Sequence, residues 1–172
     1  MGYDTNTAAD GVKNYTATAV WNGSTKIYDV SLSSANYAAG QLYKNITKNE
    51  NWTSGTDNTT EEFSDKEGQL VLKRTYDAGQ RHDTYYVYDQ FGNLSYVFPP
   101  LADNPLAQLE DLCYQYKYDH RNRLVEKSCP AGNGSSWLTT RWTVWWQRDL
   151  RPLPLTEAEL VQCLPNMTYS VG

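Results

Sequence analysis

The chain has 172 residues, a formal net charge of −5 and an aromatic content dominated by 14 Tyr and 6 Trp. That length suffices for one domain with its own hydrophobic core. The acidic balance without a basic cluster argues against nucleic-acid binding, no apolar run is long enough to span a bilayer, and Met1–Asp4 lacks the pattern of a secretory signal.

The first 36 residues are predicted to form an N-terminal β segment, 1–36. Within it, the polar residues 1–10 are expected to be frayed. Two alternating stretches, Tyr15–Trp21 and Lys26–Leu32, indicate a pair of antiparallel strands that reverse direction at Asn22–Ser24.

A short phrase recurs over residues 37–130, which we interpret as a repeat region. It consists of an aromatic residue, Asp, two free positions, Gly or Asn, one more position and Leu. Two clear copies, one looser copy and one degenerate copy stand at Tyr88–Leu94, Tyr118–Leu124, Phe63–Leu70 and Tyr37–Leu42. Self-similarity of this kind indicates units that stabilise each other by stacking.

The phrase has the chemistry of a tight turn. An Asp at the first turn position accepts a hydrogen bond from a backbone N–H two residues on. The fourth position then takes a positive φ, which Gly adopts without penalty and Asn tolerates best among the other residues. The residues predicted to form this structural motif are Asp65, Gly68, Tyr88, Asp89, Gly92, Leu94, Tyr118, Asp119, Asn122 and Leu124.

Aromatic and β-branched residues alternate on both sides of each phrase, which is typical of strands. The predicted strands are Tyr43–Ile46, Glu61–Phe63, Gln69–Tyr76, Thr84–Tyr88, Leu94–Phe98, Cys113–Tyr118 and Leu124–Lys127. A turn is predicted at Asp77–Asp83, and leucines at helical spacing after Asn104-Pro105 predict one short helix near 105–111. The predicted fold is therefore mainly β, with antiparallel hairpins stacked into one sheet.

Longer runs inside this region resemble the rearrangement-hotspot (RHS), or YD-repeat, family. The runs Gly40–Lys44, Val71–Arg74, Thr84–Asp89, Gly92–Pro100 and Leu112–Asp119 follow the order found in such proteins of Bacteroides-like bacteria. The resemblance implies a fragment of a very large secreted or cell-surface protein whose repeats form a β-shell around a C-terminal toxin. The implied partners are the remainder of the same repeat polypeptide and the enclosed toxin domain.

Residues 131–172 carry no copy of the phrase, and we interpret them as a frameshifted, poorly specified tail. Read from the third base of each codon, Trp142-Thr143 must give Asp and Trp145-Trp146 must give Val. With permissive codons, Thr140–Trp146 becomes Lys-Met-Asp-Arg-Leu-Val, which resembles a phrase of the family. A genuine tail is the alternative.

We predict no catalytic residue, no metal site and no cofactor. The recurring Asp residues are explained by turn closure, and Glu61 and Glu62, as strand neighbours, point to opposite faces and are expected to be solvated. Two His and three Cys without C-x-x-C spacing do not indicate zinc. Cys113 and Cys129 flank one hairpin and could pair across it, although two reduced, half-buried thiols are the favoured interpretation.

Two functions follow from these observations. The first is a non-catalytic structural fragment whose tyrosines pack against neighbouring strands. The alternative is a carbohydrate or cell-surface binding module, since carbohydrate binding has been proposed for the family and glycans would then be partners. In that case Tyr86, Tyr96, Tyr114 and Tyr116 are the candidate ligand-stacking residues and are expected to line one open groove.

Overall fold

The structure is a computed structural model that describes residues 2–129 and the backbone of 138–141. The described residues form eleven strands, one short helix and one 3₁₀ turn at Ala8–Asp10. The strands are β1 (Gly2–Thr5), β2 (Lys13–Asn22), β3 (Ile27–Asn36), β4 (Tyr43–Lys48), β5 (Thr59–Ser64), β6 (Leu70–Asp77), β7 (Gln80–Tyr88), β8 (Leu94–Phe98), β9 (Tyr114–Tyr118), β10 (Leu124–Cys129) and β11 (Leu138–Arg141), and the helix is α1 (Leu109–Leu112).

The strands form one large antiparallel sheet and one separate hairpin. In the large sheet the order is β1-β4-β5-β6-β7-β8-β9-β10-β11, so that every strand after β4 pairs with the next one along the chain. Strands β2 and β3 pair only with each other among the described strands. The prediction of a mainly β fold built from stacked antiparallel hairpins is therefore confirmed.

The β2–β3 hairpin lies against one face of the large sheet, and the core is between the two layers. Tyr15 of the hairpin packs edge-on against Tyr85 and Phe98, with ring centroids 5.1 and 4.9 Å apart. The Tyr85 hydroxyl also accepts a hydrogen bond from the Lys13 N–H at 3.3 Å. The buried core residues are Val12, Ala17, Leu42, Phe63, Val71, Leu72, Tyr85, Val87, Tyr96, Phe98, Ala102 and Cys113.

The expectation that residues 1–10 are frayed is wrong. Strand β1 pairs antiparallel with β4, from Gly2 opposite Ile46 to Thr5 opposite Tyr43. Asn6 is 1% exposed. Because β4 would otherwise be an unpaired edge, the polar N-terminal residues gain backbone partners that their composition does not reveal.

Two boundaries differ from the prediction. The predicted turn at Asp77–Asp83 is wrong, because Ala78 and Gly79 alone reverse the chain, with φ of 49° and 73°. Two consecutive positive φ values give the tight turn that suits a twisted hairpin, and β7 therefore starts at Gln80. The helix predicted near 105–111 is α1 at Leu109–Leu112, because the preceding residues form a turn in which the Asn104 carbonyl accepts from two successive N–H groups.

The proposed disulfide between Cys113 and Cys129 is excluded. Cys113 is a free, buried thiol, and burial raises its pKa to about 12. Cys129 is disulfide-bonded, so the expectation of two reduced thiols is right for Cys113 and wrong for Cys129, and both residues are buried rather than half-buried. Apart from the backbone of 138–141, the tail predicted as frameshifted, 131–172, lies outside the described residues.

Candidate functional site

The turn at Asp89 is closed by the aspartate side chain and backbone together. Its Oδ1 accepts hydrogen bonds from the N–H groups of Phe91 at 2.9 Å and Asn93 at 2.8 Å. The Asp89 N–H donates to the Asn93 carbonyl at 2.9 Å, and the Gly92 N–H donates to the Asp89 carbonyl at 3.0 Å. Gly92 has a φ of 81°, the left-handed conformation that this turn requires.

The last copy of the phrase repeats this geometry with Asn in place of Gly. Asp119 Oδ1 accepts from the N–H groups of Arg121 at 2.8 Å and Arg123 at 3.1 Å, and Asn122 has a φ of 55°. Burial opposes ionisation of Asp119, but hydrogen bonds from Arg123 and Arg121 outweigh it, so the pKa of this carboxyl lies below its usual value. The aspartate is thus held ionised as a turn acceptor.

The looser copy keeps the same backbone geometry with fewer side-chain bonds. Asp65 Oδ1 accepts from the Gln69 N–H at 2.8 Å, the Gly68 N–H donates to the Asp65 carbonyl at 3.2 Å, and Gly68 has a φ of 82°. The three turns are therefore one motif, and local turn chemistry accounts for the recurrence of Asp and of Gly or Asn.

Neighbouring copies contact each other at the turns. The hydroxyl of Tyr118 donates to the Leu94 carbonyl of the preceding copy at 2.8 Å, and Asn93 Nδ2 lies 3.3 Å from Asn122 Oδ1. Burial, reinforced by the charge of Asp89, raises the pKa of the Tyr118 hydroxyl. The tyrosine of one phrase thus lies beside the aspartate of the phrase before it.

The first clear copy has the same relation to the looser one. Burial, with smaller contributions from Tyr86 and from the charge of Asp65, raises the pKa of the Tyr88 hydroxyl to about 12. The leucines are less uniform. Leu94 is half-buried, but Leu124 is 37% exposed, so Leu124 contributes little to packing.

The free positions of the phrase hold the β2–β3 hairpin. The Gln90 side chain accepts from the Ala19 N–H at 2.9 Å and donates to the Ala19 carbonyl at 2.7 Å, as a neighbouring strand would. At the equivalent position of the last copy, the His120 ring lies 5.5 Å from Trp21. The sequence did not reveal this role, because the partners of Gln90 and His120 are far away in the chain and the two residues are of different types.

The four candidate stacking tyrosines do not share one face of the sheet. Tyr96 lies opposite Val87 and Gln115, whereas its neighbour Val97 lies opposite Tyr86 and Tyr114. Because successive residues of a strand point to opposite faces, Tyr96 faces away from Tyr86, Tyr114 and Tyr116. Tyr96 is also buried in the core under the hairpin.

A buried group of charges crosses four strands, and sequence reasoning missed it. Lys44 Nζ lies 2.8 Å from Asp10 and 2.9 Å from Glu61, while Arg74 binds Asp83 through two hydrogen bonds of 2.8 and 3.0 Å. Arg74 is 2% and Glu61 6% exposed. The expectation that Glu61 is solvated is therefore wrong.

The ionisation of this group follows from its contacts. Burial disfavours the charge on Asp10 and on Lys44. The hydrogen bond between these two residues, together with those that Thr7 donates to Asp10 and that Lys44 donates to Glu61, outweighs the effect of burial. The pKa of Asp10 is consequently lowered and that of Lys44 raised. Each buried charge has an opposite charge beside it, which is the arrangement of a structural ion-pair group.

One depression of about 430 Å³ lies beside α1 and is lined by Tyr96, Leu106, Ala107, Leu109, Glu110, Asp111 and Gln115. Within the part of the chain that the structure describes, no cluster of His, Cys, Asp or Glu could hold a metal ion. Among the same residues, no helix is both long and apolar enough to cross a membrane.

No family model, no curated protein and no solved structure matches the chain.

Proposed function

We propose that this chain is a non-catalytic structural segment of a large secreted or cell-surface repeat protein of the RHS type. In this proposal its hairpins continue a β-shell around a C-terminal toxin, and its partners are the other repeats of the same polypeptide and that toxin. The proposal rests on the resemblance of the repeated phrase and on what its recurring positions do in the fold.

The observation that carries the proposal is the contact from copy to copy. The Tyr118 hydroxyl binds the Leu94 carbonyl of the preceding unit, and Asn93 contacts Asn122 of the following one. In this pair of units, each one supplies a donor and an acceptor to the other, which is the property needed to extend a sheet by adding similar units. The Asp residues, which would be the first candidates for catalysis, are occupied as turn acceptors.

The alternative, a carbohydrate or cell-surface binding module, has less support. It requires several aromatic rings along one accessible groove, with polar groups at the rim. Tyr96 faces the core, on the opposite side of the sheet from Tyr86 and Tyr114. The depression beside α1 contains only Tyr96 of the four candidates, so these four tyrosines do not form one aromatic platform.

The test is to sequence the gene and its flanks and to express the full reading frame. We expect further Tyr-Asp-x-x-Gly-x-Leu phrases on both sides of residues 37–130, and a closed shell in electron micrographs of the full-length protein. Flanks without such phrases would overturn the proposal. A glycan array that gives specific hits, lost on replacement of Tyr114 but not of buried Tyr96, would favour the binding module instead. The gene sequence also decides whether residues 131–172 are a frameshifted translation.

A further inference from the structure

Asn6 uses all four of its hydrogen-bonding groups on one loop. Its N–H donates to the Leu42 carbonyl at 3.0 Å, and its carbonyl accepts from the Gly40 N–H at 2.8 Å. Its side-chain Oδ1 accepts from the Leu42 N–H at 2.8 Å, and its Nδ2 donates to the Ala38 carbonyl at 2.9 Å. Asn6 is fully buried, so each of these bonds satisfies a group that water does not reach.

Three of these bonds are of the same kinds as those that Asp89 makes in its own turn, although Leu42 lies two residues after Gly40 and Asn93 only one residue after Gly92. There, the Asp89 N–H donates to the Asn93 carbonyl, the Gly92 N–H donates to the Asp89 carbonyl, and the Asn93 N–H donates to Asp89 Oδ1. Gly40 has a φ of 76°, close to the 81° of Gly92. The glycine of the 38–42 loop therefore has the same left-handed conformation as the glycine of the Asp89 turn.

The degenerate copy lacks its own aspartate. None of Tyr37, Ala38 and Ala39, the three residues before Gly40, is an aspartate, and Asn6, 36 positions before Leu42, supplies the missing groups. Strand β1 leads directly into Asn6, just as β7 leads into Asp89. Residues 2–6 therefore take the place of the first strand and the aspartate of a hairpin, so the first repeat unit is assembled from two separate parts of the chain.

We infer that the edge of β4, together with the 38–42 loop, is a strand-acceptor site for an extended segment that is followed directly by Asn. The occupant that it fits is Gly2–Thr7. In this structure the same chain donates that segment, and a second copy donates it when two chains exchange their N-terminal segments. Main-chain pairing to a sheet edge gives affinity in such sites, and a specific side chain gives selectivity. Tyr3 is 79% exposed, so β1 is held by pairing and by Asn6 rather than by core burial.

This inference stands independently of the proposed function, because it needs only the bonds at Asn6 and the pairing of β1 with β4. It predicts that loss of the Asn6 side chain loosens the resident segment and opens the site to an added one. The probe is a fluorescein-labelled peptide with the sequence of Gly2–Thr7, and the measurement is fluorescence anisotropy with the full-length chain. A second peptide carries Ala at the position of Asn6.

We expect the Asn6→Ala chain to bind the Asn-containing peptide about tenfold more tightly than the unaltered chain does, and the Ala-containing peptide about tenfold more weakly than the Asn-containing one. Asp4→Ala is the matched control, because Asp4 lies on the same strand and is exposed, and its side chain accepts a hydrogen bond from the adjacent Thr5 N–H rather than from the 38–42 loop. This control should bind the peptide no better than the unaltered chain.

Circular dichroism establishes that each variant is folded. If Asn6→Ala does not fold, Asn6→Asp replaces it, because that change keeps the acceptor for the Leu42 N–H and puts a carboxylate oxygen in place of the donor to Ala38, as in the aspartates of the other copies. A folded variant that binds neither peptide, or binds both equally, overturns the inference. Asn-dependent binding by the variant, with binding by the Asp4→Ala control no tighter than that by the unaltered chain, supports it.

Discussion

Replacing Asp89 by Ala tests whether the aspartate of the phrase is a turn acceptor that the fold depends on. Asp89 is 7% exposed, and its carboxylate accepts three hydrogen bonds, from the N–H groups of Phe91 and Asn93 and from Asn93 Nδ2 at 3.1 Å. Removing the carboxylate takes the acceptor away from the N–H groups of Phe91 and Asn93 and leaves Asn93 Nδ2 with Asn122 Oδ1 alone, 3.3 Å away. Stability should fall although no core residue changes.

The magnitude follows from the number of bonds. A hydrogen bond to a charged group contributes about 1.5–3 kcal/mol net, and bonds that share one carboxylate do not add fully. We therefore expect Asp89→Ala to lower the free energy of unfolding by about 3 kcal/mol. In urea denaturation followed by tryptophan fluorescence, the midpoint should fall by roughly 1–2 M with an unchanged slope.

Asp65→Ala is the matched comparison, because Asp65 occupies the same position of the looser copy but makes one side-chain hydrogen bond, to Gln69, and is only half-buried. Its loss should be about 1.5 kcal/mol, the lower end of that range, because Asp65 makes one bond and is partly exposed. Equal losses for the two variants, or a loss below about 1 kcal/mol for Asp89→Ala, would refute the argument that the number of turn hydrogen bonds sets the contribution of each aspartate.

Three further outcomes are expected. Gly92→Ala should lower the free energy of unfolding by about 1–2 kcal/mol because Gly92 has a positive φ. The loss should exceed that of Gly68→Ala, because the new Cβ would lie 3.3 Å from a glutamine side chain at Gly92 and meets nothing within 4 Å at Gly68. The urea midpoints of the two variants measure the difference. Tyr118→Phe should cost about 1 kcal/mol in the same assay, since it removes one donor to the preceding copy. Burial raises the pKa of Tyr118 above the usual 10.0 and raises the pKa of Tyr88 to about 12. Above pH 10 the folded state therefore keeps protons that the unfolded state has released, and stability should fall as the pH rises from 10 towards 12. A urea midpoint that stays constant between pH 9 and 11.5 would contradict this.

The parts of the fold that the sequence predicted well depend on contacts between near neighbours. Asp89 binds N–H groups two and four residues on, and Gly92 adopts its positive φ within the same turn. Such contacts are encoded in a few adjacent residues, so one phrase was enough to predict three turns. The alternation of Leu94–Phe98 likewise predicted β8 with its observed bounds.

The parts that the sequence did not predict depend on partners far along the chain. Gln90 is an exposed polar residue at a variable position, and only the fold brings it to the backbone of Ala19. Asn6 lies in a polar stretch that resembles a frayed terminus, and its four partners lie in the 38–42 loop. No local pattern distinguishes such residues from ordinary surface residues, so only the structure reveals what they do.

The buried charges suggest how one arrangement of similar strands is selected over others. Lys44, Glu61, Arg74 and Asp83 lie on β4, β5, β6 and β7, so positive and negative charges alternate from strand to strand. Burying ions has a desolvation cost that offsets much of their attraction, and the net contribution to stability is therefore small. A shift in register or in strand order would instead leave a charge buried without its partner, which is strongly unfavourable. Stacked hairpins with interchangeable turns need such a device, because the turns themselves are nearly the same in every copy.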